Sequence, residues 1–510
     1  MKAARFALTL LAAAALTGCA VGPNYRTPRV PTPARYDAAA RPAGATDTAA
    51  APLDPAAWWR TLQDPELDSL VERAVTGNPD LLVALDRLQA ARTFEAAAIG
   101  TVLPTVEASA GAGRGTGSDL TRGRAANALR SADNAAGLQH LNEIGGFDAL
   151  WELDIFGKYR REIEAAHYDA QATLAARNAV LVTVVADVAR AYVDLRGLQV
   201  RASVLDSAVA VLHESLRIVS VRYERGITNE LDVTLATREL ATLEAQAAPI
   251  NAQVRAAEYT IATLLGLYPE DLVGELSAAG LVPAVPAAVD PGLPPELLRR
   301  RPDIREAERE LAGATARIGI ATADLFPSLA LSGAVGFQRQ SLKGQPVLGQ
   351  HIWSVGPAAV WPLLDFGALD AQVEIADLQT RALLVRYKQT IQQAVREVDT
   401  SCALFAAEEQ SLDKLATGLV AGQRAVTLAN ERYQRGVTDF LNVVDAERHE
   451  YDLEEQYAAT QVAAAEQFID LYRSLGGGWE SYQSLPPIHR PEPAIIAVFQ
   501  RVLSRNDPLQ

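Results

Sequence analysis

Arg222-Tyr223-Glu224-Arg225-Gly226-Ile227-Thr228-Asn229-Glu230-Leu231-Asp232-Val233 returns 210 residues later as Arg432-Tyr433-Gln434-Arg435-Gly436-Val437-Thr438-Asp439-Phe440-Leu441-Asn442-Val443. The same offset lays Trp151, Leu153, Phe156 and Gly157 on Trp361, Leu363, Phe366 and Gly367. Further upstream the offset becomes 223, where Asn78-Pro79-Asp80-Leu81 meets Arg301-Pro302-Asp303-Ile304 and Leu103-Pro104 meets Phe326-Pro327. The first half therefore carries 13 extra residues between Pro104 and Trp151. Repeats of this length exceed solenoid units, so each half is a complete module and the fold is internally duplicated.

Each module opens with a two-residue period. Leu329, Leu331, Gly333, Val335 and Phe337 alternate with Ser328, Ala330, Ser332, Ala334 and Gln338, and Trp353, Val355, Pro357, Ala359, Trp361 and Leu363 follow the same rhythm. In the first half Val106, Ala108 and Ala110 alternate with Glu107, Ser109 and Gly111, and Phe147, Ala149, Trp151 and Leu153 form the return. This predicts one hairpin per half, about 103–153 and 327–363, each with one apolar face. Runs of about ten residues flanked by Trp suit tilted membrane strands. Four strands cannot close a membrane barrel, so such a chain must oligomerise. A soluble four-stranded sheet on a helical protein would show the same alternation.

After each Phe-Gly the period becomes helical. Leu198, Ala202, Leu205, Val209, Leu212, Leu216, Val219 and Tyr223 mark a heptad seam, as do Leu412, Leu415, Leu419, Val426, Ala429 and Tyr433. A helix from Gly157 to Tyr223 would reach about 100 Å, three times a bilayer. Pro249 is expected to bend or divide the first return helix. The glycine of each Arg-Tyr-x-x-Gly turn supplies the backbone angle of a helix corner.

The N-terminus has Lys2 and Arg5, an apolar run from Phe6 to Leu16, and Leu16-Thr17-Gly18-Cys19, which reads as a secretion signal resembling the lipobox of bacterial lipoproteins. That resemblance implies a lipid on Cys19, with Ala20 in place of Asp implying passage to the outer membrane. Cys402 is then the one remaining cysteine, read as a small helix-core residue. The net charge of −15, or −17 without Lys2 and Arg5, disfavours nucleic acid as a partner. No apolar run of 18 or more residues is evident after the signal. The organisation expected is a signal peptide, 1–18; a lipidated extended segment and collar, 19–77; a first repeat, 78–265; a Pro-rich linker wrapping the helices, 266–300; a second repeat, 301–475; and an irregular tail, 476–510.

Cys19 with Gly22-Pro23-Asn24-Tyr25, Trp58-Trp59, Asp64-Pro65-Glu66-Leu67, both Pro-Asp motifs, Phe326-Pro327, Leu364-Asp365-Phe366-Gly367 and both helix turns resemble, in order and spacing, the TolC-like outer-membrane factors. The likeness is to the lipoprotein branch, typified by NodT and OprM, that serves tripartite efflux. It implies a mainly α fold with a membrane β-barrel portion, in which a homotrimer builds a 12-stranded barrel continuous with a 12-helix periplasmic tunnel. It further implies a periplasmic adaptor protein and an inner-membrane pump of the RND type as partners, no cofactor beyond the lipid, and contact with outer-membrane lipid. Arg222, Tyr223, Gly226, Leu231, Gly436 and Leu441 would face the adaptor. Arg432, Tyr433, Leu441 and Asp445 match the residues that close the tunnel in lipoprotein ducts, Arg432 and Tyr433 tethering neighbouring helices by polar contacts. The first-half equivalents of Leu441 and Asp445 are Leu231 and Leu235, so a trimer would carry three acidic side chains at its narrowest ring, not six. The 13 extra residues, with Arg114, Arg122, Arg124 and Arg130, would meet lipopolysaccharide on the cell exterior.

An enzyme is the main competing class. The six histidines form no pair at metal-ligand spacing, no Gly-x-Ser-x-Gly elbow occurs, and Gly113-Arg114-Gly115-Thr116-Gly117 reads as a hairpin loop without a helix to cradle phosphate. Arg448-His449-Glu450 reads as a polar helix face. Among non-enzymes, protein secretion, metal efflux and a lipid-anchored coiled-coil scaffold stay open beside drug efflux.

Overall fold

The computed structural model describes residues 20–37, 55–116, 139–286, 294–342 and 348–482. Cys19, Arg122, Arg124 and Arg130 lie outside them. The main elements are α1 (Pro65–Gly77), α2 (Pro79–Gly100), β1 (Thr105–Thr116), β2 (Gln139–Leu153), α3 (Lys158–Glu224) and α4 (Glu230–Leu264). Then follow α5 (Pro302–Ala323), β3 (Ser328–Leu342), β4 (Leu348–Val360), α6 (Ala368–Gln434) and α7 (Leu441–Ser474). Each half thus runs helix, hairpin, 67-residue helix, return helix.

The chain forms two compact units. One takes Gln89–Ala172 and Ala307–Arg386 with the segment up to Pro28; the other takes Arg29–Leu88, Thr173–Glu306 and the chain from Tyr387 onward.

The first unit holds one antiparallel sheet in the order β1-β2-β3-β4. Its register sets Val106 beside Ala149, Ala149 beside Gly333 and Gly333 beside Val355, with Ala108, Phe147, Val335 and Trp353 in the next rank. Because strand side chains alternate, these ranks share a face. That face is apolar, and its Val106, Phe147, Val335, Trp353 and Val355 are exposed. The opposite face carries Glu107, Ser109, Asp148, Glu152, Ser332, Gln338 and Ser354. β1 and β4 are paired on one side only among the described residues. Gly113 to Thr116, expected in a loop, pair with Asn142 to Gln139 and extend β1. Trp361 and Leu363, expected in the last strand, lie beyond it. Trp361 donates its indole N–H to the Leu325 carbonyl at 3.1 Å, and Trp151 donates to Val102 at 2.9 Å. Val102 and Leu325 are the repeat equivalents at the 223-residue offset, so both halves tie a Trp to the turn that precedes their hairpin.

The core of the second unit forms where the N-terminal region covers α3. Trp58 stacks on Tyr472 at 5.5 Å and Trp59 on Tyr482 at 6.2 Å, over Leu67, Leu70, Leu181, Val185, Val188, Tyr192 and Phe468. α3 contains one stretch apolar and long enough to cross a bilayer, which the sequence reading missed, and 56% of it is buried. Asp64 starts α1 by accepting from the Glu66 and Leu67 amides, with Pro65 at the first position. Part of the linker packs on α3: Arg196 donates to the Ala278 carbonyl at 2.7 Å and Gln199 to that of Leu276 at 2.8 Å.

The repeats also share their closing contact. Asn78 donates to the Leu264 carbonyl, 2.8 Å, at the end of α4; Arg301 donates to that of Ser474, 2.7 Å, at the end of α7. Both carbonyls belong to final helical turns, which have no partner inside their own helix. α4 runs through Pro249 as one helix, so of the two expected outcomes, bend or division, the proline does not divide it. Ile250 and Leu243 are buried on either side of it with Leu205, Leu212 and Tyr451, and this packing offsets the hydrogen bond that proline removes. Cys402 is half-buried on α6, and burial, with Asp399 beside it, pushes its thiol up to about 11.

Candidate functional site

The two helix turns share one backbone design. Gly226 (φ 68°) and Gly436 (φ 72°) are left-handed. Gly226 N donates to Tyr223 O at 2.8 Å and Ile227 N to Arg222 O at 2.9 Å; Gly436 and Val437 repeat this on Tyr433 and Arg432 at 2.9 and 3.0 Å. These paired bonds satisfy the last carbonyls of α3 and α6, and the positive φ reserves the position for glycine. A side chain at either glycine would meet open space within the single chain, so strain comes from the backbone rather than from crowding.

The side chains differ where the backbone does not. Tyr433 is 6% exposed, among Val219, Ala236, Val443 and Val444, with its ring 5.3 Å from that of Phe440. Tyr223 is 44% exposed. Phe440 corresponds to Glu230, so only the second turn has an aromatic partner for its tyrosine. Arg222 reaches across from the first turn and lies 4.7 Å above the Tyr433 ring. This cation–π contact links the two turns. The Tyr433 hydroxyl is buried beside Thr228, and burial pushes its pKa up while Arg222 works against that. Within one chain Tyr433 is thus held by a ring contact whose cation is Arg222. Arg432 is exposed. The signal that could have found this pair was the Glu230/Phe440 difference between otherwise matching turns.

Asn229 caps α4 by accepting from the Asp232 amide at 3.2 Å, whereas Phe440 precedes α7 with no side-chain cap. Leu231, Leu441 and Asp445 are exposed. Leu441 and Asp445 lie in the first turns of α7, four apart and on one face. His449 Nδ1 lies 2.8 Å from the Asp445 carbonyl, one turn farther on. The adaptor-facing and gate candidates therefore gather at the two turns, with Tyr433 turned inward and the rest at the surface.

At the other end of α3 the residues after Cys19 are held in place. Val21 N donates to Phe156 O at 3.0 Å. Arg161, its side chain 3% exposed, donates to the carbonyls of Val21 and Gly22 at 3.1 and 3.2 Å, to Asn24 Oδ1 at 2.8 Å and to Glu164 at 2.6 Å. A buried guanidinium is tolerable only when its donors are filled, and the N-terminal segment fills most of these. Gly22 packs directly on Gly319, and Gly157, with φ 83°, leaves room for Ala20. Sequence reading found Gly22-Pro23-Asn24-Tyr25 but not Arg161, whose partner set depends on a contact 140 residues distant.

The outer membrane efflux protein family model matches residues 70–267 and 293–477, and the chain belongs to that family. It is 30% identical over 434 residues to Nodulation protein T of Rhizobium leguminosarum bv. trifolii, covering 85% of this chain and 89% of that one. To the toluene efflux pump outer membrane protein TtgC of Pseudomonas putida it is 29% identical over 468 residues, covering 91% and 93%. The outer-membrane channel OprN superposes with TM-score 0.79 at 35% identity over 90% of this chain and all of its own. The Neisseria gonorrhoeae MtrE outer membrane channel in its open state gives 0.76 at 27%, covering 92% and 100%. The protein is accordingly an outer-membrane protein of a family whose members are channels.

Proposed function

We propose that this chain is one protomer of a gated, trimeric exit duct for small toxic compounds such as drugs and solvents. The observation that carries the reading is the sheet: four strands, one face presenting the exposed Val106, Phe147, Val335, Trp353 and Val355, the other Glu107, Asp148, Glu152 and Gln338, and two edges unpaired among the described residues. Three copies joined edge to edge give a 12-stranded barrel with lipid outside and water inside, which removes every open edge. The 67-residue helices α3 and α6, with the return helices α4 and α7, give a 12-helix periplasmic tunnel from three copies, and a periplasmic adaptor bound to an RND-type inner-membrane pump meets the helix turns. The names of the relatives TtgC and ArpC, a toluene and an antibiotic efflux protein, support this substrate class.

Cys19 carries the lipid, next to the segment that Arg161 holds. Cys19→Ser abolishes radiolabelled palmitate incorporation; retained label overturns this assignment.

Leu441 and Asp445 form the gate, as an apolar ring beside a ring of three carboxylates, the first excluding water and the second drawing in cations. Single-channel recording of Leu441→Gly with Asp445→Ala in planar bilayers tests this. Expected are higher conductance and weaker cation preference from an intact trimer; parent values of both would move the gate elsewhere.

A further inference from the structure

Two of the three ladders in the sheet are copies of one another. Moving β1 by 223 residues and β2 by 210, the offsets of the sequence repeat, carries the pair Thr105–Leu150 onto Ser328–Val360, which is the register that β3 and β4 adopt. The third ladder, β2 with β3, joins the end of one repeat to the start of the next and has no copy among the described residues. Its copy would join β4 to a β1 from outside the chain. Moved by the same offsets, Leu153–Leu329, Trp151–Leu331 and Ala149–Gly333 become Leu363–Val106, Trp361–Ala108 and Ala359–Ala110.

The structure shows both halves of that joint unfilled. Trp151, Glu152 and Leu153 at the end of β2 lie past the start of β1 and pair with β3 alone. Their equivalents Trp361 to Leu363 are the residues that only an outside β1 would hold, and β4 stops before them at Val360. The flanking apolar contact is missing in the same way. Phe156, after β2, stacks on Phe326, before β3, with ring centroids 4.7 Å apart. Their equivalents are Phe366, after β4, and Leu103, before β1, and they are 98% and 65% exposed. The register also keeps the apolar face of β4 level with that of β1, whereas a slip of one residue would set apolar against polar along the whole joint.

We propose that β4 of one copy of this chain pairs with β1 of the next in this single register, Leu363 opposite Val106 and Ala359 opposite Ala110, with Phe366 seated on Leu103. The joint rests on the trimeric duct proposed above and is heterologous, so three of them close a ring with no free edge. It extends β4 through Leu363 and covers two large apolar side chains that an isolated chain leaves bare.

Disulfide trapping in outer membranes, with full-length protein carrying Cys402→Ala, tests the register. Ala359→Cys with Ala110→Cys places the thiols directly across the joint, within disulfide reach, and oxidation by copper phenanthroline is expected to give a covalent trimer on denaturing gels without reductant. Ala359→Cys with Ala108→Cys is two residues out of register and is expected to give at least about tenfold less. Ala149→Cys with Gly333→Cys, the equivalent pair inside the chain, serves as the control: its thiols should become protected from maleimide without any change in band mass. An intact trimer in which the control pair closes and the Ala110→Cys pair does not, or in which the Ala108→Cys pair cross-links as well, overturns the register and leaves the trimer standing. A parent protein that is monomeric on a sizing column overturns the trimeric reading and the joint with it.

Discussion

α3 and α6 are repeat equivalents of equal length, yet they are buried differently. Along α3, Leu181, Val185, Val188, Tyr192 and Leu205 are all covered, and the large apolar side chains left exposed are Val211 and Tyr223. Along α6, Ile375, Leu378, Val385, Leu404, Val420 and Leu428 are exposed. The cause lies in what covers each helix. Trp58, Trp59, α1 and the linker residues Leu272 and Leu276 join the core around α3. The second half has no counterpart to that N-terminal cover among the described residues. The strand-to-helix junctions differ in the same direction: the N-terminal segment packs against Gly157, while Gly367 has open space and Phe366 is 98% exposed. Duplication of sequence therefore repeated the secondary structure without repeating its environment. A stripe of exposed apolar residues on a stable helix marks a surface that another molecule covers, and in the proposed trimer that molecule is a neighbouring copy.

The largest effect follows from breaking that difference. Leu378→Lys with Val385→Lys sets two charges in the bare stripe of α6, and the trimer should dissociate to monomers in light scattering on a sizing column. A trimer that survives would show that the stripe faces something other than a sister chain.

A second experiment compares the paired closing contacts. Arg301 is buried and bonded to Asp303, Glu397 and the Ser474 carbonyl, so Arg301→Ala strands two carboxylates and one carbonyl. A loss of roughly 3 kcal/mol is expected, at the lower end for a buried pair because both acids retain some solvent. Its counterpart Asn78 is neutral, accepting from the Leu81 amide and donating to the Leu264 carbonyl. Asn78→Ala should cost about 1 kcal/mol, the usual worth of a helix cap. Denaturant titration of both variants followed by circular dichroism measures the two losses. Equal losses would mean that the halves are stabilised alike despite their different chemistry.

Much of the fold was legible beforehand because it is written in local periods. Two-residue alternation marked both hairpins, heptad spacing marked both long helices, and Arg-Tyr-x-x-Gly marked both corners to within a residue or two. The misreadings were also local. Gly113 to Thr116 read as a loop, but the ladder with β2 holds them extended, and Trp361 and Leu363, which continue the alternation, lie beyond β4.

What the sequence alone determined is the duplication, the order and length of the elements, the glycines that only a left-handed turn requires, and, through the motifs it shares, membership of the efflux family. Only the tertiary structure decided which of two equivalent tyrosines turns inward, which arginine covers it, and which guanidinium grips the N-terminal segment. Local conformation depends on residues a few positions apart, whose spacing a sequence displays directly. Burial and charge pairing depend on which distant faces meet, and two copies of one motif meet different neighbours.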